Sequence, residues 1–103
     1  MSQEKDNKKP EFKLEIQIDE ATAQGHYANL AVINHNDAEF TLDFIFVQPQ
    51  APRGKVCSRI ITSPRHVKRL LLALEENLRK YEQAHGPVDP GPRVPAPEVG
   101  PYH

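Results

Sequence analysis

The feature that most limits the fold is one long segment held between two hard stops. Ser63-Pro64 opens it and Gly86-Pro87 closes it. Ser is a good N-cap, and Pro fits the first helical position, where no intrahelical N–H bond is needed. Gly accepts the backbone conformation past a last helical turn, and Pro cannot continue the helix. Between the stops, Val67, Leu71, Leu74, Leu78 and Tyr81 step by four, three, four and three, which predicts an amphipathic helix over residues 64–85. Leu70 and Leu72 widen the apolar surface beyond a single seam. The seam is only about two heptads long, short for a coiled coil. The helix is therefore expected to pack on its own sheet, on a partner helix, or on both. Glu75 with Arg79 and Glu76 with Lys80 are spaced to pair at i, i+4.

The chain before this helix reads as strands. Residues 12–18, FKLEIQI, alternate cleanly, with Phe12, Leu14, Ile16 and Ile18 on one side. That pattern predicts a half-buried strand with one wet face. Asp19 can cap, and Gly25 can close, a single helical turn. Residues 26–35 predict a second strand, apolar on both faces: Ala28, Leu30 and Val32 on one, Tyr27, Ala31 and Ile33 on the other. Such a strand is expected to be central and covered on both sides. Residues 34–37, NHND, form a turn by composition. A third strand follows over 39–47, with Phe40, Leu42, Phe44 and Phe46 sharing a face. Two prolines and a glycine make 48–54 a loop. A fourth strand covers 55–62, KVCSRIIT. The expected fold class is α+β: a four-stranded antiparallel sheet followed by one long C-terminal helix.

The ends are of different composition. Residues 1–10 are polar and charged, and residues 86–103 hold six of the ten prolines. Both are expected to be a disordered arm and a disordered Pro-rich tail around a single domain at 11–85. A domain so short buries a modest core, and oligomerisation is a common remedy. The two-sided second strand and the wide helix face supply the surfaces. A homodimer is the minimum expected, with Val67, Leu70, Leu71, Leu74, Leu78 and Tyr81 at its interface.

No stretch reaches the roughly 18 consecutive apolar residues of a membrane span. The N-terminal residues have no apolar signal region, and one cysteine cannot form an intrachain disulfide. A cytoplasmic protein with no membrane association is the expectation. Without a Cys pair or a helical His pair, no metal site and no cofactor are expected. His26 and His35 lie about 30 Å apart along an extended strand, too far to share an ion. Asp19 with Glu20, and Asp37 with Glu39, sit at element boundaries, where capping and turn roles suffice. Cys57 lies between Lys55 and Arg59, which share its face by alternation. A nucleophile needs such an electropositive setting and a base besides, but a small strand residue without chemistry is the plainer reading. No catalytic residue is assigned, and the chain is not expected to be an enzyme.

Charge is segregated along the chain. Residues 1–50 hold four lysines against nine Asp and Glu, whereas residues 51–85 hold eight Lys and Arg against three Glu. Arg53, Lys55, Arg59, Arg65, Lys68 and Arg69 fall in a stretch with no acid between Asp43 and Glu75. Arg65, Lys68 and Arg69, at i, i+3 and i+4, share a helix face near its start. With Arg59 they form the candidate anion site, which could take phosphate through side chains and free backbone N–H groups. A nucleic-acid surface is one use of it. The favoured use is a contact between the basic and acidic halves, within a fold or between subunits. A protein or peptide partner is also compatible.

Two resemblances follow from these residues. AQGHYANLAVINHNDAEFTLDF, followed by KVCSRIITSPRHVKRLLLALEENLRKYE, resembles domain-of-unknown-function family 3467, a set of short bacterial and archaeal proteins. The telling pieces are the start at Tyr27-Ala-Asn29, Phe40-Thr-Leu-Asp-Phe44, and Ser58-Arg-Ile-Ile with Ser63-Pro64. The resemblance spans about residues 12–85. It implies a single small prokaryotic cytosolic domain and transfers no catalytic residues. In architecture alone, an antiparallel sheet followed by a long helix looks like the export chaperone SecB, a dimer of dimers. That likeness implies a chaperone or peptide binder as an alternative to a plain binding or scaffold module.

Overall fold

A computed structural model of the chain describes residues 13–51 and 53–92. In order, the elements are α1 (Glu20–Gln24), β1 (Leu30–His35), β2 (Phe40–Gln48), β3 (Arg53–Thr62) and α2 (Pro64–His85). The strands form one antiparallel sheet in the order β1-β2-β3. The protein is thus α+β, an antiparallel sheet followed by a C-terminal helix.

Local chemistry accounts for each boundary. The Asp19 carboxylate accepts the Thr22 N–H at 2.7 Å and starts α1, and Gly25, at φ 75°, ends it. Between β1 and β2, the Asn36 side-chain oxygen accepts the N–H groups of Ala38 and Glu39, each at 2.8 Å. The side chain thereby satisfies the backbone of the turn, the usual role of Asn there. Ser63 caps α2 by accepting the His66 N–H at 3.2 Å, with Pro64 as its first residue. Gly86, at φ 94°, terminates it with its N–H on the Glu82 carbonyl at 2.8 Å. Of the two expected i, i+4 pairs, Glu76–Lys80 forms at 3.7 Å.

Three expectations need correction. Among the described residues the sheet has three strands, not four. Residues 13–18 form neither helix nor strand and make no hydrogen bond to any other described residue, and Leu14, Ile16 and Ile18 are 78%, 81% and 66% exposed. Alternation makes a segment fit to be a strand, but a strand exists only against a neighbour. Second, β1 is an edge strand and β2 is the centre. The apolar residues on both sides of β1 are not matched by two-sided cover; Ile33 is 55% exposed.

Third, alternation fails midway along β3. Ser58 lies opposite Phe44, but Val56 lies opposite Ile45, so Cys57 is an extra residue in a β-bulge. A bulge shifts every later side chain to the other face. Lys55 lies opposite Phe46 and Arg59 opposite Asp43. Phe46 and Asp43 point to opposite faces of β2, so Lys55 and Arg59 do too.

The described residues cover both faces of the sheet only in part. One carries Phe40, Leu42, Phe44 and Phe46, with Ile33 and Ile60 opposite Leu42. The other carries Asp43, Ile45 and Val47, flanked by Val32, Val56 and Arg59. Among the described residues, Leu42 and Ile45 are the buried apolar side chains, while the three phenylalanines of β2 stay half-buried. Helix α2 does not supply the missing layer, for it buries no residue. Leu71 and Leu74 are 49% and 60% exposed, values of a helix without a neighbour. Phe12, the arm at 1–10 and the tail from residue 93 lie outside the described residues.

Candidate functional site

The clearest polar construction is in the middle of the sheet. Asp43 sits at the centre of β2 and is 1% exposed, flanked by Val32 on β1 and Arg59 on β3. Its two carboxylate oxygens accept from Arg59 Nε at 2.7 Å and Nη2 at 2.9 Å. This fork-on-fork pairing satisfies the planar geometry of both groups. It also keeps a charge in a buried position without leaving it unpaired. The Arg59 side chain is itself 47% exposed, so the pair has a dry end and a wet end. Sequence alone set Arg59 among the anion-binding cations, and in the structure Asp43 engages it. The cross-strand register that joins the two residues, sixteen positions apart, is not visible in local pattern.

The other cations of that set stand on α2. Arg65, Lys68 and Arg69 are exposed in its first turns, and no described carboxylate forms a salt bridge with any of them. Near them, His66 Nδ1 lies 3.2 Å from Thr62 Oγ1, which ties the end of β3 to the helix start. Arg53 and Lys55 project from the far end of β3, beyond the bulge. The basic stretch is thus spread along a strand and a helix turn rather than gathered around one point.

Sequence reasoning passed over Asn29. Its side chain pairs with the backbone of Val47 in both directions, Nδ2–H donating to the carbonyl at 3.0 Å and Oδ1 accepting the N–H at 2.8 Å. Its own N–H donates to the Ile45 carbonyl at 3.0 Å. An Asn side chain here acts as one more residue of ladder and extends β1 beyond Leu30. Tyr27 then reaches back to Phe46, the rings 6.2 Å apart and edge to face. Cys57 sits under this corner, with its Sγ 3.7 Å from the carbonyls of Tyr27 and Lys55. Both carbonyls are acceptors within reach of the thiol S–H.

His35 stacks on Phe40 at 5.2 Å, and His85 lies 4.6 Å from the Tyr81 ring. Among the described residues no three His, Cys, Asp or Glu side chains group as a metal site. The Asp19 carboxyl is held below its ordinary value by hydrogen bonds from the Thr22 side chain and backbone. That is a capping effect. No described helix is long and apolar enough to cross a membrane.

Residues 1–90 match the family described as Protein of unknown function (DUF3467). The chain belongs to this family. The Tyr27-Ala-Asn29 start that carried the resemblance is the corner just described, where Tyr27 meets Phe46 and Asn29 meets Val47. Its Phe40-Thr-Leu-Asp-Phe44 piece holds the buried Asp43, and its Ser58-Arg-Ile-Ile piece holds the arginine that pairs with it. These stretches build and brace the sheet. No curated protein and no solved structure matches the chain.

Proposed function

We propose that this member of the family is a small non-catalytic binding or scaffold module that acts as a homo-oligomer, a dimer at minimum, in the cytoplasm. One observation carries this reading: α2 is strongly amphipathic yet buries no residue within its own chain. Such a helix is seldom stable in water on its own, because most helix stability comes from packing the apolar face. Leu70, Leu71, Leu74, Leu78 and Tyr81 are between 40% and 60% exposed. Five side chains on one helix fall short of the ~1,200 Å² at which stable interfaces begin. The partly exposed Phe40, Phe44, Ile33 and Ile60 face adds apolar surface to theirs. A contact that combines helix and sheet therefore fits better than a helix pair alone. Two copies of one chain also provide the acidic and basic halves to each other.

The test compares Leu74→Asp with Leu72→Asp by light scattering at fixed concentration. Leu74 lies on the seam and Leu72 beside it, and both are exposed. The reading expects Leu74→Asp to shift the chain to monomer and Leu72→Asp to have the smaller effect. Equal behaviour of the two variants and the parent chain overturns it.

A second reading rests on Arg65, Lys68 and Arg69, exposed at the start of α2 with no described carboxylate in salt-bridge range. It makes the protein a nucleic-acid accessory factor. Binding would then weaken steeply with salt, and Lys68→Glu with Arg69→Glu would abolish it. A salt-independent signal, or none, removes this alternative. The uncovered sheet leaves a SecB-like peptide binder as a third possibility, and failure to delay aggregation of an unfolded client at excess removes that one.

A further inference from the structure

We propose that residues 13–18 form an intermolecular strand, adding to the edge of β3 that no described strand pairs with, in a second copy of the chain. This rests on the dimer reading above and specifies one of its contacts. The segment runs KLEIQI, with Leu14, Ile16 and Ile18 alternating with Lys13, Glu15 and Gln17. It belongs to no helix or strand and makes no hydrogen bond to another described residue, and its three apolar side chains stand mostly in solvent. A segment of this composition without a ladder leaves a row of donors and acceptors ready for a neighbouring strand. Addition of an extended segment to a sheet edge supplies affinity through the main chain and specificity through alternate side chains.

The sheet has two edges, and charge chooses between them. β1, Leu30–His35, carries no Lys, Arg, Asp or Glu. β3 carries Arg53 and Lys55, besides the Arg59 that Asp43 engages. Lys13 and Glu15 balance within the incoming segment, but Asp19 and Glu20 follow it directly, so residues 13–20 carry a net charge of −2 (one Lys against three Asp and Glu). A strand with this acidic end is drawn to the basic edge and gains nothing at the neutral one. Length also fits, since six residues span about 20 Å, well within a strand of β3's length. Asp19 caps α1 at the end of the segment, so the added strand stops where the helix begins. The segment and β1 are joined through α1 and the stretch after it, and exchange of such an element between identical chains is a common route to a dimer.

The experiment uses the full chain in two measurements. Hydrogen exchange is followed by mass spectrometry at concentrations above and below the dimer dissociation constant. Alternate backbone amides within residues 14–18, those that face the partner edge, should be protected in the dimer and lose protection on dilution. Ile16→Pro, which removes a ladder donor, should raise the dissociation constant at least tenfold. A benzophenone attached at Gln17→Cys, in a Cys57→Ser background, is then photolysed in an equimolar mixture of labelled unmodified and unlabelled modified chains. Cross-links should fall within residues 53–62 of the labelled chain. A dimer whose residues 14–18 exchange freely overturns the strand addition and leaves the dimer standing. Protection that survives dilution to monomer means pairing within one chain and also overturns it. Cross-links to residues 30–35 refute the choice of edge. A monomer at every concentration defeats this proposal and the dimer together.

Discussion

Breaking the Asp43–Arg59 pair is the most informative change that can be made inside the sheet. Arg59→Leu leaves the Asp43 carboxylate, 1% exposed, without its two charge-assisted bonds of 2.7 and 2.9 Å. Removing one partner of a fully buried pair costs about 3–5 kcal/mol. Arg59 is 47% exposed, so water screens its end and the cost falls to about 2 kcal/mol. Asp43→Asn keeps the shape and some hydrogen bonding and should cost about 1 kcal/mol. Replacing both residues by leucine removes the stranded charge along with its partner. The double variant should therefore lose less than the sum of Asp43→Leu and Arg59→Leu, with a coupling of about 1–2 kcal/mol. The assay is urea unfolding at one fixed protein concentration, because dimerisation adds to apparent stability. For a domain of this size the slope is about 1 kcal/mol per molar urea, so Arg59→Leu should lower the midpoint by roughly 2 M. A loss below about 0.5 kcal/mol, or strict additivity in the double variant, would refute the role given to the pair.

Other expectations follow from the local geometry. Asn29→Ala should lose about 1 kcal/mol and free the Val47 N–H to exchange, since that N–H is bonded to Asn29 Oδ1 at 2.8 Å; unchanged exchange at Val47 would count against it. Asp19 should titrate below its ordinary 3.8. Its capping contribution is complete above that value and is lost as the pH falls through the lowered folded-state pKa. The Thr22 amide shift followed against pH should show this, and a midpoint at or above 3.8 would contradict it.

Much of the fold can be read from local pattern, and what cannot be read is non-local. Ser63, Pro64 and Gly86 mark the ends of α2 because caps and stops act within a few residues. Asp19 and Gly25 frame α1 for the same reason. The Asn36 turn and the aromatic face of β2 are equally local. By contrast, alternation in residues 13–18 signals a strand but not which neighbour it finds. β1 looked central because it is apolar on both sides, yet sheet order depends on which strands the turns bring together. The bulge at Cys57 leaves no mark of Gly or Pro, so strict alternation put Lys55 and Arg59 on one face when they lie on two. Of the candidate site, the exposure of Arg65, Lys68 and Arg69 was legible from the helix period. The engagement of Arg59 by Asp43 was not, because it depends on register across β2 and β3.

Sedimentation velocity of the parent chain from about 1 to 100 μM tests the central claim most directly. A helix and a sheet that cover each other between subunits require the mass of two chains or more at the upper end, twice 11.7 kDa for a dimer, with dissociation only on dilution. A single species of 11.7 kDa across the whole range would contradict it and leave the apolar seam of α2 without an occupant.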